Sequence, residues 1–540
     1  MLRSKTILVL ILTIGLIMGI FSFGFTAPAV VSPAYDVIIE NGTIIDGTGT
    51  PGYLGDLGIR DGRIVAIGNL EETGAGRRID AKGLFVTPGF IDIHTHSDGD
   101  IVKEPWGPLA ENLMHEGVTT TVGGNCGGSE FPIGEHLAKV EKSNPGINYA
   151  ILVGFGTIRE LVMGMEDRAP TPDELNKMKE LVAQAMEEGA VGLSTGLYYT
   201  PDFYASTEEV IELAKVAAKY GGIYTSHMRD ESDYSIGVIA AVKEAIAIGE
   251  AAGMPVEISH IKCLGTPVWN KSDEMLEVIH QARLRGVNVL ADLYAYGGSG
   301  TGISGALMPR WAEAGPGTSK ENFLENIKDP ANLQKLREDV VKNMVRRGGP
   351  DTLLFTSSPT DPDFIGMYLD KVAEKMGLDP VDAAIEIQKQ GGASLVSFNM
   401  IDKDIENFMS SPYVMIGSDS GIGQFGVGSL HARYYGNWPR VLAVYVREKG
   451  LLTWEEAIQK MTSMPANQLG LSDRGIIREG MVADVVVFCP ETIKDKATFT
   501  NPFQYPEGIP YVLINGKIAI DEGEFTGVRA GRVLYRRGRK

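Results

Sequence analysis

Residues 88–100 read "PGFIDIHTHSDGD", and the fold turns on this stretch. An apolar run ends in two histidines, His94 and His96, one residue apart. In a strand, side chains alternate between faces, so both lie on one side, about 7 Å apart along the chain. Two imidazoles so placed either converge on an ion or only mark where a strand meets a loop. The rest of the chain has to decide between these readings.

Outward from there, short apolar runs at 86–93, 118–123, 149–154, 190–194, 222–226, 255–259, 287–293 and 412–418 read as strands. Between most of them lie helical patterns such as "TPDELNKMKELVAQAMEEG" (171–189), opening on Thr and Asp and closing on Gly. Eight such units predict an α/β fold, a (β/α)8 TIM-type barrel over 86–475. After the seventh strand, a polar helical stretch, "SKENFLENIKDPANLQKLREDVVKNMVRRGG", reads as an insertion at about 300–350, a lid or small subdomain.

The two ends of the chain differ from the middle. "YDVIIENGTIID" and "LGIRDGRIVAIG" are β-rich runs broken by Gly, Asn and Asp, and "ADVVVFCP", "GIPYVLINGKIAI" and "GRVLYRR" repeat that style near the C-terminus. A small β-sandwich domain assembled from 35–85 and 476–540 accounts for both. Ahead of it, Arg3 and Lys5 precede an uncharged, mostly apolar stretch, Thr6–Val31, with the small residues Ala27 and Ala29 near its end. Residues 1–34 therefore read as an export signal peptide, or as an N-terminal membrane anchor if uncleaved. Either way the protein is exported, and its only expected membrane contact is this segment.

The net charge of −19 argues against a phosphate-tracking surface, so nucleic acid is not an expected partner. The dense basic run at the C-terminus reads as a solvated tail. Three cysteines are too few for a disulfide framework in 540 residues. Cys489 reads as a small buried hydrophobe and Cys263 as a neighbour of the site.

In barrels of this kind, functional residues gather at the C-terminal ends of the strands. There the sequence places His94 and His96, Cys126 in "GGNCGG", His227 in "TSHMRDE", His260 in "EISHIK" and Asp419 in "IGSDS". Of eight histidines, four fall at strand ends, too many for chance. His115, His136 and His280 sit in or beside helical segments, and His431 stays unassigned. Imidazole, thiolate and carboxylate are the ligand types of Zn2+. Cys126, His227 and His260 make a tight three-ligand site, with His94, His96 and Asp419 a harder, weaker second one. Zinc with an open position lowers the pKa of water to about 7. Asp419 is then placed to take the water's proton and return it to a leaving amine.

With these residues in place, "PGFIDIHTHSD" and the two-ended β domain resemble the amidohydrolase superfamily. "GGNCG", "GLSTGLYYTPDFYAS", "YTSHMRDE", "EISHIKCLG", "IGSDS", "HARYYGNWPRVL" and "MTSMPANQLGL" resemble, within it, the N-acyl-D-amino-acid deacylase (D-aminoacylase) family, from Tyr35 onward. The resemblance implies zinc-dependent hydrolysis of N-acyl-D-amino acids, a small-molecule substrate, with Asp419 as general base and acid. It also implies that Arg433, Lys262 and Tyr294 hold the substrate carboxylate. Without it, Arg433 and Lys262 would read as surface charges and Tyr294 as a core aromatic. Gly297, Gly298, Ser299 and Gly300 depart from the family's usual Gly-Ser order after this tyrosine. Hydantoinase- and dihydroorotase-like relatives bridge two metals with a carboxylated lysine, and "AVGLSTGL" has no lysine. The preference for D-substrates rests on the resemblance alone. The alternatives are a dipeptidase or cyclic-amide hydrolase on the same scaffold and, from another class, an exported binding protein that keeps the barrel.

Overall fold

The computed structural model describes residues 34–428 and 431–535. The expected signal or anchor segment lies outside the described residues. Among the described residues, no helix is long and apolar enough to cross a membrane.

The middle of the chain forms eight parallel strands: β1 (Phe90–Asp92), β2 (Val118–Gly123), β3 (Asn148–Ile151, continued by Val153–Gly154), β4 (Gly192–Gly196), β5 (Ile223–His227), β6 (Val256–Ile258), β7 (Val289–Leu293) and β8 (Val414–Ile416). Every residue of these strands is buried, as expected of a parallel sheet covered by helices. Beyond β1 and β8 the ring closes through the amide of Asp419 on the His94 carbonyl (2.9 Å) and that of His96 on Ser420 (2.7 Å). The histidine and aspartate strand ends singled out from the sequence are therefore also where the barrel is sewn shut.

The helices follow ordinary end chemistry. Helix Pro172–Glu188 opens with a reciprocal cap, in which the Thr171 hydroxyl accepts from the Glu174 amide and the Glu174 carboxylate from the Thr171 amide. It ends at Gly189 with φ +124°, a value that glycine alone adopts freely. Its buried side, Met178, Val182, Ala185 and Met186, joins the apolar layer between helices and strands.

The expected first strand, 86–93, is two strands. Phe85–Pro88 pairs antiparallel with Val485–Phe488 in the terminal β domain, while β1 belongs to the barrel. Gly89 makes the transfer. Its amide donates to the Asp484 carbonyl at 2.8 Å, and a Cβ there would overlap the Thr119 side chain. The chain changes sheets where only glycine fits.

The β domain is a nine-stranded sheet built from Tyr35–Ile44, Tyr53–Arg60, Arg63–Gly68, Ala75–Asp80 and Phe85–Pro88 with Val485–Phe488, Tyr511–Ile514, Lys517–Asp521 and Glu524–Phe525. It encloses Ile39, Leu57, Ile59 and Ile79 from the N-terminal part with Val485, Val487 and Leu513 from the C-terminal part. The two halves share this single core. "GRVLYRR" is expected as one of its strands, but its described part, 531–535, instead lies along barrel strand β3. There the Tyr149 amide donates to the Arg532 carbonyl and the Leu534 amide to that of Tyr149.

The inserted subdomain is longer than the helical stretch expected at about 300–350. Strands Ser299–Gly302, Ser394–Ser397 and Leu353–Ser357 form a three-stranded antiparallel sheet. Its separate core joins Phe323, Leu336 and Val340 to Phe355, Leu369, Val372 and Ile385. Helices Ser319–Asn326 and Pro330–Arg346 are amphipathic, and residues 353–397 supply the surface that buries them.

Candidate metal centre and active site

Five strand ends deliver the ligand candidates. His94 and His96 continue β1, Cys126 follows β2, His227 ends β5, His260 follows β6, and Asp419 follows β8. Three of these, Cys126 (φ +54°), His260 (φ +37°) and Asp419 (φ +50°), have left-handed backbone, which costs a non-glycine residue about 1–3 kcal/mol. Neighbouring hydrogen bonds hold them there. The Ser259 amide donates to the Ser226 carbonyl (3.0 Å) and the Ile261 amide to that of Asp292 (2.8 Å). Asn125 Nδ2 donates to the carbonyls of Val122 (3.1 Å) and Ile93 (3.3 Å). These turns aim the side chains inward rather than along the strands.

The six residues form one cluster. The ligand atoms of Cys126, His227 and His260 lie within 4.8 Å of one another, as do those of His94, His96 and Cys126 and those of His94, His260 and Asp419. Cys126 Sγ is 3.4 Å from His94 Nε2 and 3.5 Å from His260 Nε2. Asp419 Oδ1 is 3.1 Å from His96 Nε2 and 3.7 Å from His94 Nε2. The two sets expected from sequence thus lie against one another, with Cys126 and His260 of one beside His94 of the other.

A metal ion fits this donor set. Both ring nitrogens of His227 are buried without a hydrogen-bond partner, and a buried polar atom left unpaired is rare unless something else satisfies it. Burial pushes His227 below the usual imidazole range, which keeps it neutral and able to ligate. Burial alone would raise the Cys126 thiol, but His94 and His260 outweigh it and hold the thiol well below its ordinary value. The Cys126 thiolate and the neutral His227 imidazole are forms that bind metal.

Behind the ligands stand two carboxylates that the motifs did not single out. Asp292 Oδ2 is 3.1 Å from His94 Nδ1. Glu231 Oε1 is 3.2 Å from His260 Nδ1, and its Oε2 is 3.6 Å from His227 Nε2. Carboxylates in this position fix the tautomer and ring orientation of a ligating histidine. Burial opposes ionisation of Glu231, but His227 and Lys262 hold its carboxyl below the usual range. Glu257 lies within 4.8 Å of the His94–Asp292 pair, and burial, with the Asp292 charge, keeps its carboxyl well above that range. Asp292 carried a faint sequence signal, since it precedes Tyr294 by two residues and shares its strand parity. Glu231, four residues after His227 in "HMRDE", carried less.

The side chains expected around the substrate carboxylate come together. Arg433, Lys262 and Tyr294 line one cavity of about 650 Å3 with the ligand cluster. Arg433 Nη1 lies 2.8 Å from Asp419 Oδ2, within ion-pair range though not aligned as a hydrogen bond. Its guanidinium carbon stands 4.7 Å from the centre of the Tyr294 ring. Lys262 is engaged elsewhere too, with Nζ against Glu231 Oε1 and 2.8 Å from His260 Nδ1. It therefore touches both the cavity and the ligand sphere.

His431, unassigned from sequence, positions Arg433. Its Nε2 donates to the Gly298 carbonyl at 2.9 Å, and its Nδ1 accepts from the Arg433 amide at 3.1 Å. Burial and the Arg433 charge push it down to about 3, so it is neutral. His136 and His280 meet Tyr149 and Tyr413 hydroxyls, and His115 stacks on Tyr505, all outside the cluster.

The chain matches the amidohydrolase family over residues 77–320 and 398–520. It is 35% identical over 528 residues to a D-aminoacylase of Alcaligenes xylosoxydans xylosoxydans, covering 94% of this chain and 98% of that one. It is 36% identical over 523 residues to an N-acyl-D-glutamate deacylase of the same organism, covering 93% and 96%. The crystal structure of N-acyl-D-glutamate deacylase from Bordetella bronchiseptica, complexed with zinc and a phosphonate inhibitor, matches with a TM-score of 0.78 at 35% identity, covering 93% of this chain and 99% of that one. This chain belongs to the amidohydrolase family and, within it, to the N-acyl-D-amino-acid deacylases.

Proposed function

We propose that the protein hydrolyses the amide bond of N-acyl-D-amino acids, releasing a carboxylate and the free D-amino acid, with zinc at Cys126, His227 and His260. The observation that carries this reading is the meeting, in one cavity, of a Cys/His/Asp ligand cluster with Arg433, Lys262 and Tyr294. The D preference is supported by the relatives, which include a D-aminoacylase and an N-acyl-D-glutamate deacylase.

Zinc, when bound, polarises the amide carbonyl and acidifies water. The chain's own residues do the rest. Arg433 and Lys262 supply positive charge for the substrate's α-carboxylate, and the Tyr294 ring packs beside them. Burial alone would raise the Asp419 carboxyl, but Arg433 and His260 hold it well below the usual carboxylate range. It is therefore ionised and ready to accept the proton of the attacking water, then to deliver it to the leaving nitrogen. Asp292 and Glu231 keep His94 and His260 oriented through their Nδ1 atoms. The basic and apolar N-terminal segment supports an exported enzyme, which fractionation of the expressing cell would check.

The test is a kinetic panel of N-acetyl-D- and N-acetyl-L-amino acids, a dipeptide and a hydantoin, each with and without chelator. Turnover of the D-substrates that chelation abolishes is expected. Chelator-sensitive turnover of the hydantoin or the dipeptide alone would replace this reading by another amidohydrolase activity.

A further inference from the structure

The cavity holds three cationic side chains whose charges are compensated differently. Arg433 faces Asp419, and Lys262 faces Glu231. Arg347, at the end of helix Pro330–Arg346, lines the same cavity. It is 1% exposed, and its recorded partners among the described residues are all neutral. Its Nε donates to the Tyr234 hydroxyl at 2.9 Å and the Ala306 carbonyl at 3.0 Å. Nη1 donates to Ser397 Oγ at 2.9 Å and Nη2 to the Tyr198 hydroxyl at 3.1 Å. A guanidinium carries two N–H groups on each Nη, so one donor on each remains unspent. A buried cation with no counter-ion is far more costly than a paired one.

A second unspent donor lies nearby. Ser299 lines the cavity and pairs with Ser397 across the subdomain sheet. Its hydroxyl donates to Asn399 Oδ1 at 3.1 Å, while Asn399 Nδ2, buried, has no acceptor. Among the described residues no carboxylate is bonded to Arg347 or to Asn399, so this end of the cavity has donors in excess, the complement of an anion. Tyr198 ties it to the metal centre, because its ring lies 5.2 Å from that of His227.

We infer that the Arg347 end of the cavity binds a second carboxylate of the substrate, separate from the α-carboxylate at Arg433. The substrate is then an N-acyl amino acid with an acid on its side chain or on its acyl group. The inference rests on the deacylase reading above and specifies its substrate class.

Two substrate pairs separate the sources of charge: N-acetyl-D-glutamate against N-acetyl-D-glutamine, and N-succinyl-D-alanine against N-acetyl-D-alanine, all with the zinc-loaded full chain. One charged member is expected to exceed its neutral partner by about 100-fold in kcat/KM, and the pair that shows it locates the acid. In Arg347→Gln that ratio should collapse, whereas Arg347→Lys should keep most of it. Equal kcat/KM within both pairs, or an equal loss for both members of a pair in Arg347→Gln, overturns the inference and leaves the deacylase standing. Calorimetric binding of glutarate against butyrate to the unmutated protein needs neither turnover nor a folded variant. Glutarate should bind at least about 10-fold tighter, and equal affinity overturns the second anion site. Absence of turnover with all four substrates would instead overturn the deacylase reading, with the calorimetry still reporting on the anion site.

Discussion

Asp419 and Arg433 are ion-paired inside the cavity, Oδ2 to Nη1 at 2.8 Å. The candidate proton carrier and the candidate carboxylate anchor are thus in direct contact, each setting the other's electrostatics. Arg433 helps to keep Asp419 ionised, and Asp419 makes the burial of Arg433 tolerable.

Asp419→Asn keeps the shape and removes the base. Metal content should stay near that of the unmutated protein, because Cys126, His227 and His260 remain. The kcat should fall by about 10²–10⁴-fold, the usual worth of a positioned acid–base group. Elemental analysis beside steady-state kinetics checks both halves, and a near-normal kcat would remove Asp419 from the proton path.

Cys126 groups both with His227 and His260 and with His94 and His96. Cys126→Ala should therefore lower metal stoichiometry after exhaustive dialysis. Asp292→Asn, which weakens the brace on His94 Nδ1, should cost about 10–100-fold in metal affinity. Competition with a chromogenic chelator ranks the two. Full metal retention in Cys126→Ala would show that the thiolate is not a ligand.

His115 gives a pH dependence away from the metal. Burial pushes it down to about 4 from its ordinary 6.5, so the unfolded chain binds its proton first as pH falls. Stability should be unaffected above pH 6.5 and decline between 6.5 and 4, by no more than about 3 kcal/mol from this group. The difference in unfolding free energy between the unmutated protein and His115→Gln should shift in favour of the variant across that window. A constant difference from pH 7 to 4 would contradict the burial argument.

Gly89 has no room for a side chain against Thr119. Gly89→Ala should cost about 1–3 kcal/mol of stability through overpacking, read as a lowered denaturant midpoint. Thr119→Ala in the same chain should recover part of it.

Most of the barrel was legible because fully buried parallel strands are short apolar runs spaced by capped helices, as β2 and helix Pro172–Glu188 show. The candidate ligand residues were legible because His94, His96, Cys126, His227, His260 and Asp419 are reactive types at strand ends. Periodicity could not show that 86–93 spans two sheets, since both halves are equally apolar and only the contact of Gly89 with Thr119 separates them. Nor could it show that residues 353–397 complete the insertion, because that depends on which amphipathic faces meet.

Local sequence by itself determined the alternation of strands and helices and the identity of the candidate ligand side chains, because both depend on residue type and spacing over a few turns. Only the tertiary structure decided that Cys126 lies beside His94 and His96 as well as His227 and His260, that Asp292 and Glu231 stand behind the histidines, and that Arg347 faces the cavity without a carboxylate partner. Those relationships join residues far apart in the chain, and their energies depend on distance and burial, which folding alone sets.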